Sequence, residues 1–75
     1  MQEVTLPTFL KIAMAKNEMT QKEVCQKAGK SNSTLSIALR NQTSMRVDTL
    51  MEYLEAMGER LEIKLSTGES YIIKT

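Results

Sequence analysis

The stretch from Thr20 to Asn41, TQKEVCQKAGKSNSTLSIALRN, restricts the possible folds more than any other part of the chain. It reads as two short amphipathic helices joined by a tight turn. Thr20 stands three residues before Glu23, the capping-box spacing in which each side chain satisfies a backbone N–H of the other residue. A helix is therefore expected from Gln21. Val24, Cys25 and Ala28 form its narrow inward face of small and medium residues, with Gln21, Lys22, Gln26 and Lys27 outside it. Gly29 can take a positive φ and turn the chain sharply. Ser31 is expected to cap a second helix reaching about Arg40. In that helix Leu35, Ala38 and Leu39 share one face while Ser33, Ser36, Ile37 and Arg40 point the other way. Asparagine tolerates left-handed backbone, so Asn41 is expected to end it.

In this register the residues resemble the lambda-repressor-like, or Cro-type, helix-turn-helix proteins. The resemblance rests on Thr20-Gln21, Ala28-Gly29 and Ser31-Asn32-Ser33-Thr34-Leu35, and spans roughly residues 6 to 58. Three positions depart from the family pattern. Lys30 replaces a usually buried aliphatic residue, Ala38 is smaller than usual, and Leu39 is apolar where a charge is common; Leu39 is read as filling the space that Ala38 leaves. The resemblance implies a mainly α fold, a four-helix lambda-repressor-like helix-turn-helix domain. It also implies sequence-specific binding of double-stranded DNA as a transcriptional repressor or regulator. Carried over residue by residue, it sets Asn32, Ser33 and Ile37 facing bases, with Ser36 on the same face. Gln21, Ser31, Arg40 and Asn41 match positions near phosphates, and Lys30 and Arg46 are assigned phosphates with them. Asn32 can offer a paired donor and acceptor to an adenine edge, and Ile37 suits a thymine methyl. Gln21, at a helix N-terminus, can hold a phosphate with its amide and the helix dipole together.

The charge distribution agrees with this placement. The net charge is only +1, which says little about nucleic acid. Between Thr20 and Arg46, however, Lys22, Lys27, Lys30, Arg40 and Arg46 face Glu23 alone, and the acids Asp48, Glu52, Glu55, Glu59, Glu62 and Glu69 all follow. The lone cysteine cannot form an internal disulfide, and its inward position makes Cys25 a small core residue. No signal-peptide pattern or membrane-spanning apolar run is evident, so a cytoplasmic protein without membrane association is expected.

Around the central stretch, Pro7 is expected to open a support helix to about Asn17, with Phe9, Leu10, Ala13 and Met14 inward. Met1 to Thr5 is read as an arm or as a segment ordered only by contacts. Met19 precedes the Thr20 cap, where it can staple the helix entry. Val47, Leu50, Met51, Leu54 and Met57 trace a fourth helix that Gly58 ends. The methionines fall at helical spacing and are read as core filling, with no metal site and no cofactor. Beyond Gly58 the period changes to two. Leu61, Ile63 and Leu65 alternate with Glu62 and Lys64, then Ser66 to Glu69 turns, and Ser70 to Lys74 returns as a second strand. The expected architecture over residues 1–75 is thus one domain, four helices within about 7–58 and a C-terminal β-hairpin at about 60–74. An isolated hairpin is marginal and has open edges. It either folds back on the fourth helix or pairs with a second copy. In the second case Leu61, Ile63, Leu65, Tyr71 and Ile73 form a homodimer interface, in keeping with two-fold operators. Two further readings stay open: an antitoxin that binds its operator and also a toxin protein, and an interaction module with this fold but no DNA binding. Catalysis is not expected, because histidine is absent and no carboxylate pair or phosphate loop is present.

Overall fold

A computed structural model describes residues 2–42 and 44–74. The elements are α1 (Leu6–Lys16), α2 (Gln21–Ala28), α3 (Asn32–Asn41), α4 (Val47–Ala56), β1 (Leu61–Lys64) and β2 (Ser70–Ile73). Four helices and an antiparallel hairpin agree with the sequence expectation. The ends differ in informative ways. Helix α1 begins at Leu6, one residue before Pro7, because Thr5 is its cap and accepts a hydrogen bond from the Thr8 N–H at 3.4 Å. Thr5 is thus held in the fold by its contacts, the second of the two expected readings of this segment. The Thr20–Glu23 capping box forms as expected, with both reciprocal bonds present at 2.9 and 3.1 Å.

Three of the helices end in the same way. A residue with positive φ follows the helix, and the next N–H reaches back across the last turn to a carbonyl five residues earlier. Gly29 at φ 69 lets Lys30 bond Cys25 at 2.9 Å, and Gly58 at φ 76 lets Glu59 bond Leu54 at 2.8 Å. Glu18 does this without glycine, at φ 53, where Met19 bonds Met14 at 3.0 Å. In α3 the left-handed residue is Gln42, at φ 54, and Asn41 is still helical. The expectation that Asn41 ends α3 is off by one residue.

The core joins Leu10, Ala13 and Met14 of α1, Val24 and Cys25 of α2, Leu35 and Leu39 of α3, and Leu50, Tyr53 and Leu54 of α4 with Met57. Leu10, Leu35 and Val24 are 1 % exposed, and truncating a leucine this buried to alanine costs about 2–5 kcal/mol. Leu39 is buried and Ala38 only partly so, as the small residue at 38 required. The α4 stripe differs from the expected one. Val47 is 56 % exposed, whereas Tyr53 is 3 % exposed and packs in the same cluster as Cys25. Helix α4 lies on α2, and α3 is held between α2 and α1. Among the described residues no helix is long and apolar enough to cross a membrane.

In the hairpin, the Gly68 N–H bonds the Leu65 carbonyl at 2.9 Å and the Leu65 N–H bonds the Glu69 carbonyl at 2.8 Å. Gly68, at φ 99, supplies the left-handed residue of this three-residue loop. Leu61 pairs with Ile73, Glu62 with Ile72, Ile63 with Tyr71 and Lys64 with Ser70. Directly opposed residues share a face. One face therefore carries Leu61, Ile63, Leu65, Tyr71 and Ile73, and the other carries Glu62, Lys64, Ser70 and Ile72. At the root, Leu61 packs on the helical core, and Leu61, Ile72 and Ile73 line a cleft of about 590 Å³ against Met51, Leu54 and Glu55. Farther out Ile63, Leu65 and Tyr71 are 45, 47 and 49 % exposed. The fold-back onto α4 thus covers the root of the hairpin and leaves its outer apolar residues open.

Candidate nucleic-acid interface

Burying Leu35 and Leu39 fixes the rotation of α3 about its axis, since side chains one turn apart stack on one face. The opposite face is left outward. Ser33, Ile37 and Arg40 fall on this side and are exposed, Ser36 beside them is half-buried, and Asn32 is exposed at the first residue of the helix. Ile37 is 48 % exposed in the midst of polar neighbours.

Side-chain hydrogen bonds hold both ends of this helix. At its N-terminus, the Gln21 amide donates to the Asn32 carbonyl at 3.1 Å and to Asn32 Oδ1 at 3.0 Å. The first residues of α2 and α3 are thereby linked. With Oδ1 held, the Asn32 amide is oriented, and it keeps both N–H groups and a second oxygen lone pair for another partner. Ser31 occupies the cap position in extended backbone but makes no side-chain capping bond. Its hydroxyl instead shares a 2.8 Å hydrogen bond with that of Ser33. At the C-terminus, the Gln42 amide donates to the Leu39 carbonyl at 3.2 Å, and Gln42 Oε1 accepts from the Thr5 hydroxyl at 2.7 Å. The beginning of α1 is so tied to the end of α3.

The cations divide into two sets. Lys30 Nζ lies 3.1 Å from Glu52 Oε2, and Arg46 lies 3.3 Å from Asp48. The Lys30 pair gives a charged residue a place at this position: its side chain is 32 % exposed and its ammonium meets a carboxylate of α4. Lys22, Lys27 and Arg40 are exposed and form no ion pair among the described residues. Arg40 and Asn41 lie exposed at the far end of α3. At the start of α2, hydrogen bonds from the Thr20 N–H and hydroxyl hold the Glu23 carboxyl below its usual pKa. Burial pushes the Cys25 thiol up, which keeps it in its protonated, unreactive form.

Sequence reasoning missed three residues that position this surface. Thr5 was legible, being a threonine just ahead of a proline in a first helical turn. The Gln42–Thr5 and Glu52–Lys30 contacts carried no local signal, because the partners lie far apart in the chain.

Residues 9–62 match the family model described as the Cro/C1-type helix-turn-helix DNA-binding domain. No curated protein and no solved structure matches the chain.

Proposed function

The chain belongs to the Cro/C1-type helix-turn-helix DNA-binding domains, and on that premise we propose that it binds specific double-stranded sites and regulates transcription as a cytoplasmic repressor. Helix α3 enters the major groove. Asn32, Ser33, Ser36 and Ile37 meet base edges, and Gln21, Ser31, Arg40 and Asn41 lie along the phosphates. The observation that carries this reading is the outward side of α3, on which an amide held by Gln21 and, five residues further on, an exposed isoleucine stand among small hydroxyls. An amide in fixed orientation suits adenine, and an isoleucine suits the methyl of thymine. Lys30 and Arg46 reach phosphate by exchanging Glu52 and Asp48 for it, so their contribution is smaller than that of Arg40. Two copies acting together place two such helices in successive major grooves, roughly 34 Å apart.

Selection of bound sites from random duplexes, followed by anisotropy titration of the selected site at several salt concentrations, tests the proposal. Enrichment of a short motif, with affinity falling as salt rises, is expected. Salt-sensitive binding without enrichment would remove sequence specificity. No binding at low salt would leave the fold as an interaction module.

A further inference from the structure

Helix α1 carries more apolar surface than the helical core takes up, and we infer that the surplus walls a binding site for a small apolar carboxylate of the medium-chain fatty acid type. The site is separate from the outward side of α3 and does not depend on DNA binding. Phe9, Ile12, Ala13 and Lys16 fall at i, i+3, i+4 and i+7 and so share one side of α1. Ala13 is buried in the core cluster and Phe9 packs against it, whereas Ile12 is half-buried without belonging to the cluster. With Val4 ahead of the helix and Leu54 of α4, these residues line a cleft of about 370 Å³. Small-molecule sites span roughly 300–1,000 Å³ and have this make-up, apolar walls with a few charged or polar groups.

Charge decides what the cleft suits. Its lining includes Lys16 and Arg60, with Glu59 as the one carboxylate. Lys16 forms no ion pair among the described residues. Arg60 has only the 3.7 Å contact to Glu62, in which both side chains are at least half exposed, so an arriving anion displaces it at little cost. Glu59 is already engaged, since its Oε2 accepts from the Asn17 amide at 2.9 Å. The cleft at the hairpin root shares Leu54, Glu59 and Arg60 but sets Glu55 and Glu59 against Arg60 and Lys74. Its charges balance and select no anion. On the α1 side the cations outnumber the carboxylate, so an acyl chain leaves water for the apolar wall while its carboxylate meets Lys16 and Arg60.

Titration of the full chain with decanoate, below its micelle concentration and followed by amide NMR, tests the site. Decan-1-ol and decylammonium, of the same chain length, separate the two contributions. Decanoate should bind saturably, shift the signals of Val4, Ile12, Lys16 and Arg60, and bind more tightly than decan-1-ol, with decylammonium weakest. An exposed ion pair is worth up to about fivefold in affinity. Lys16→Gln and Arg60→Gln should each weaken decanoate by about that factor and leave decan-1-ol unchanged. Glu59→Gln keeps an acceptor for the Asn17 amide and removes the competing charge, so it should tighten decanoate alone. Val4→Asp, at a position 46 % exposed and therefore tolerant of the change, should weaken both ligands and decanoate more. Equal affinities for decanoate and decan-1-ol would overturn the inference. So would shifts confined to the hairpin, decanoate binding indifferent to all four substitutions, or no saturable binding of decanoate.

Discussion

Ile37→Ala is the most direct probe of the α3 face. Complete burial of an isoleucine side chain is worth about 1.5–3 kcal/mol. Ile37 is 48 % exposed in the free protein, so about half of that remains to be gained when DNA covers it, or about 1 kcal/mol. The same number fixes the expected cost of removing its partner. In a duplex selected for binding, replacing the contacted thymine by uracil removes only the methyl group, and wild-type affinity should fall by roughly fivefold, about 1 kcal/mol. Ile37→Ala should bind the thymine duplex about as weakly as the wild type binds the uracil duplex, and should lose little more on the second change. Fluorescence anisotropy on the four combinations gives the coupling directly. Folding should be little affected, because Ile37 lies outside the core cluster. Equal binding of thymine and uracil duplexes by the wild type, at every thymine of the site, would refute the contact.

Arg40→Ala removes an exposed cation that has no ion pair among the described residues, so it should weaken all duplexes alike and flatten the slope of log affinity against log salt by about 0.9; altered site preference with an unchanged slope would contradict a phosphate role. Glu18→Gly relieves a left-handed backbone that costs a side-chain-bearing residue about 1–2 kcal/mol, and after glycine's greater unfolded-state freedom it should stabilise by about 0.5–1 kcal/mol, raising Tm by about 3–6 °C. Gln42→Gly, at a similar φ, should gain less, since it also removes the bonds to Thr5 and the Leu39 carbonyl; a larger gain at 42 than at 18 would show those bonds to be unimportant. The folded Glu23 carboxyl has a pKa below its unfolded value, so its contribution is fully present above the unfolded pKa and is lost as pH falls through the folded one. The stability difference between wild type and Glu23→Gln should accordingly shrink on acidification, with the carboxyl carbon titrating by NMR below the ordinary glutamate value; a midpoint at or above that value would contradict the capping bond.

The central helices were legible because their signals are local. A threonine and a glutamate three residues apart, a glycine after Ala28 and leucines one turn apart decide a helix start, a helix end and an inward face without reference to the rest of the chain. The hairpin was legible for the same reason, since period-two alternation and the Ser66 to Glu69 turn are contained within a dozen residues. The α4 stripe shows where such reasoning weakens. Leu50, Leu54 and Met57 fit a stripe through Val47 as well as one through Tyr53, and periodicity alone does not choose between them. The neighbours chose: Tyr53 faces the core cluster that holds Cys25, while Val47 sits in the first turn with open solvent beside it.

The sequence by itself determined four amphipathic helices, a hairpin with one apolar face and which side of α3 turns outward. All three follow from the spacing of residues along a helix or strand. Only the tertiary structure decided how that outward face is held. The Gln21 amide bonds Asn32 across the turn, Gln42 bonds Thr5 from the other end of the helical unit, and Lys30 finds Glu52 on α4. Each of these bonds joins residues at least eleven positions apart. Their geometry exists only after the helices have packed, because a hydrogen bond demands a donor and acceptor within about 3 Å, and spacing along the chain does not specify distance across it.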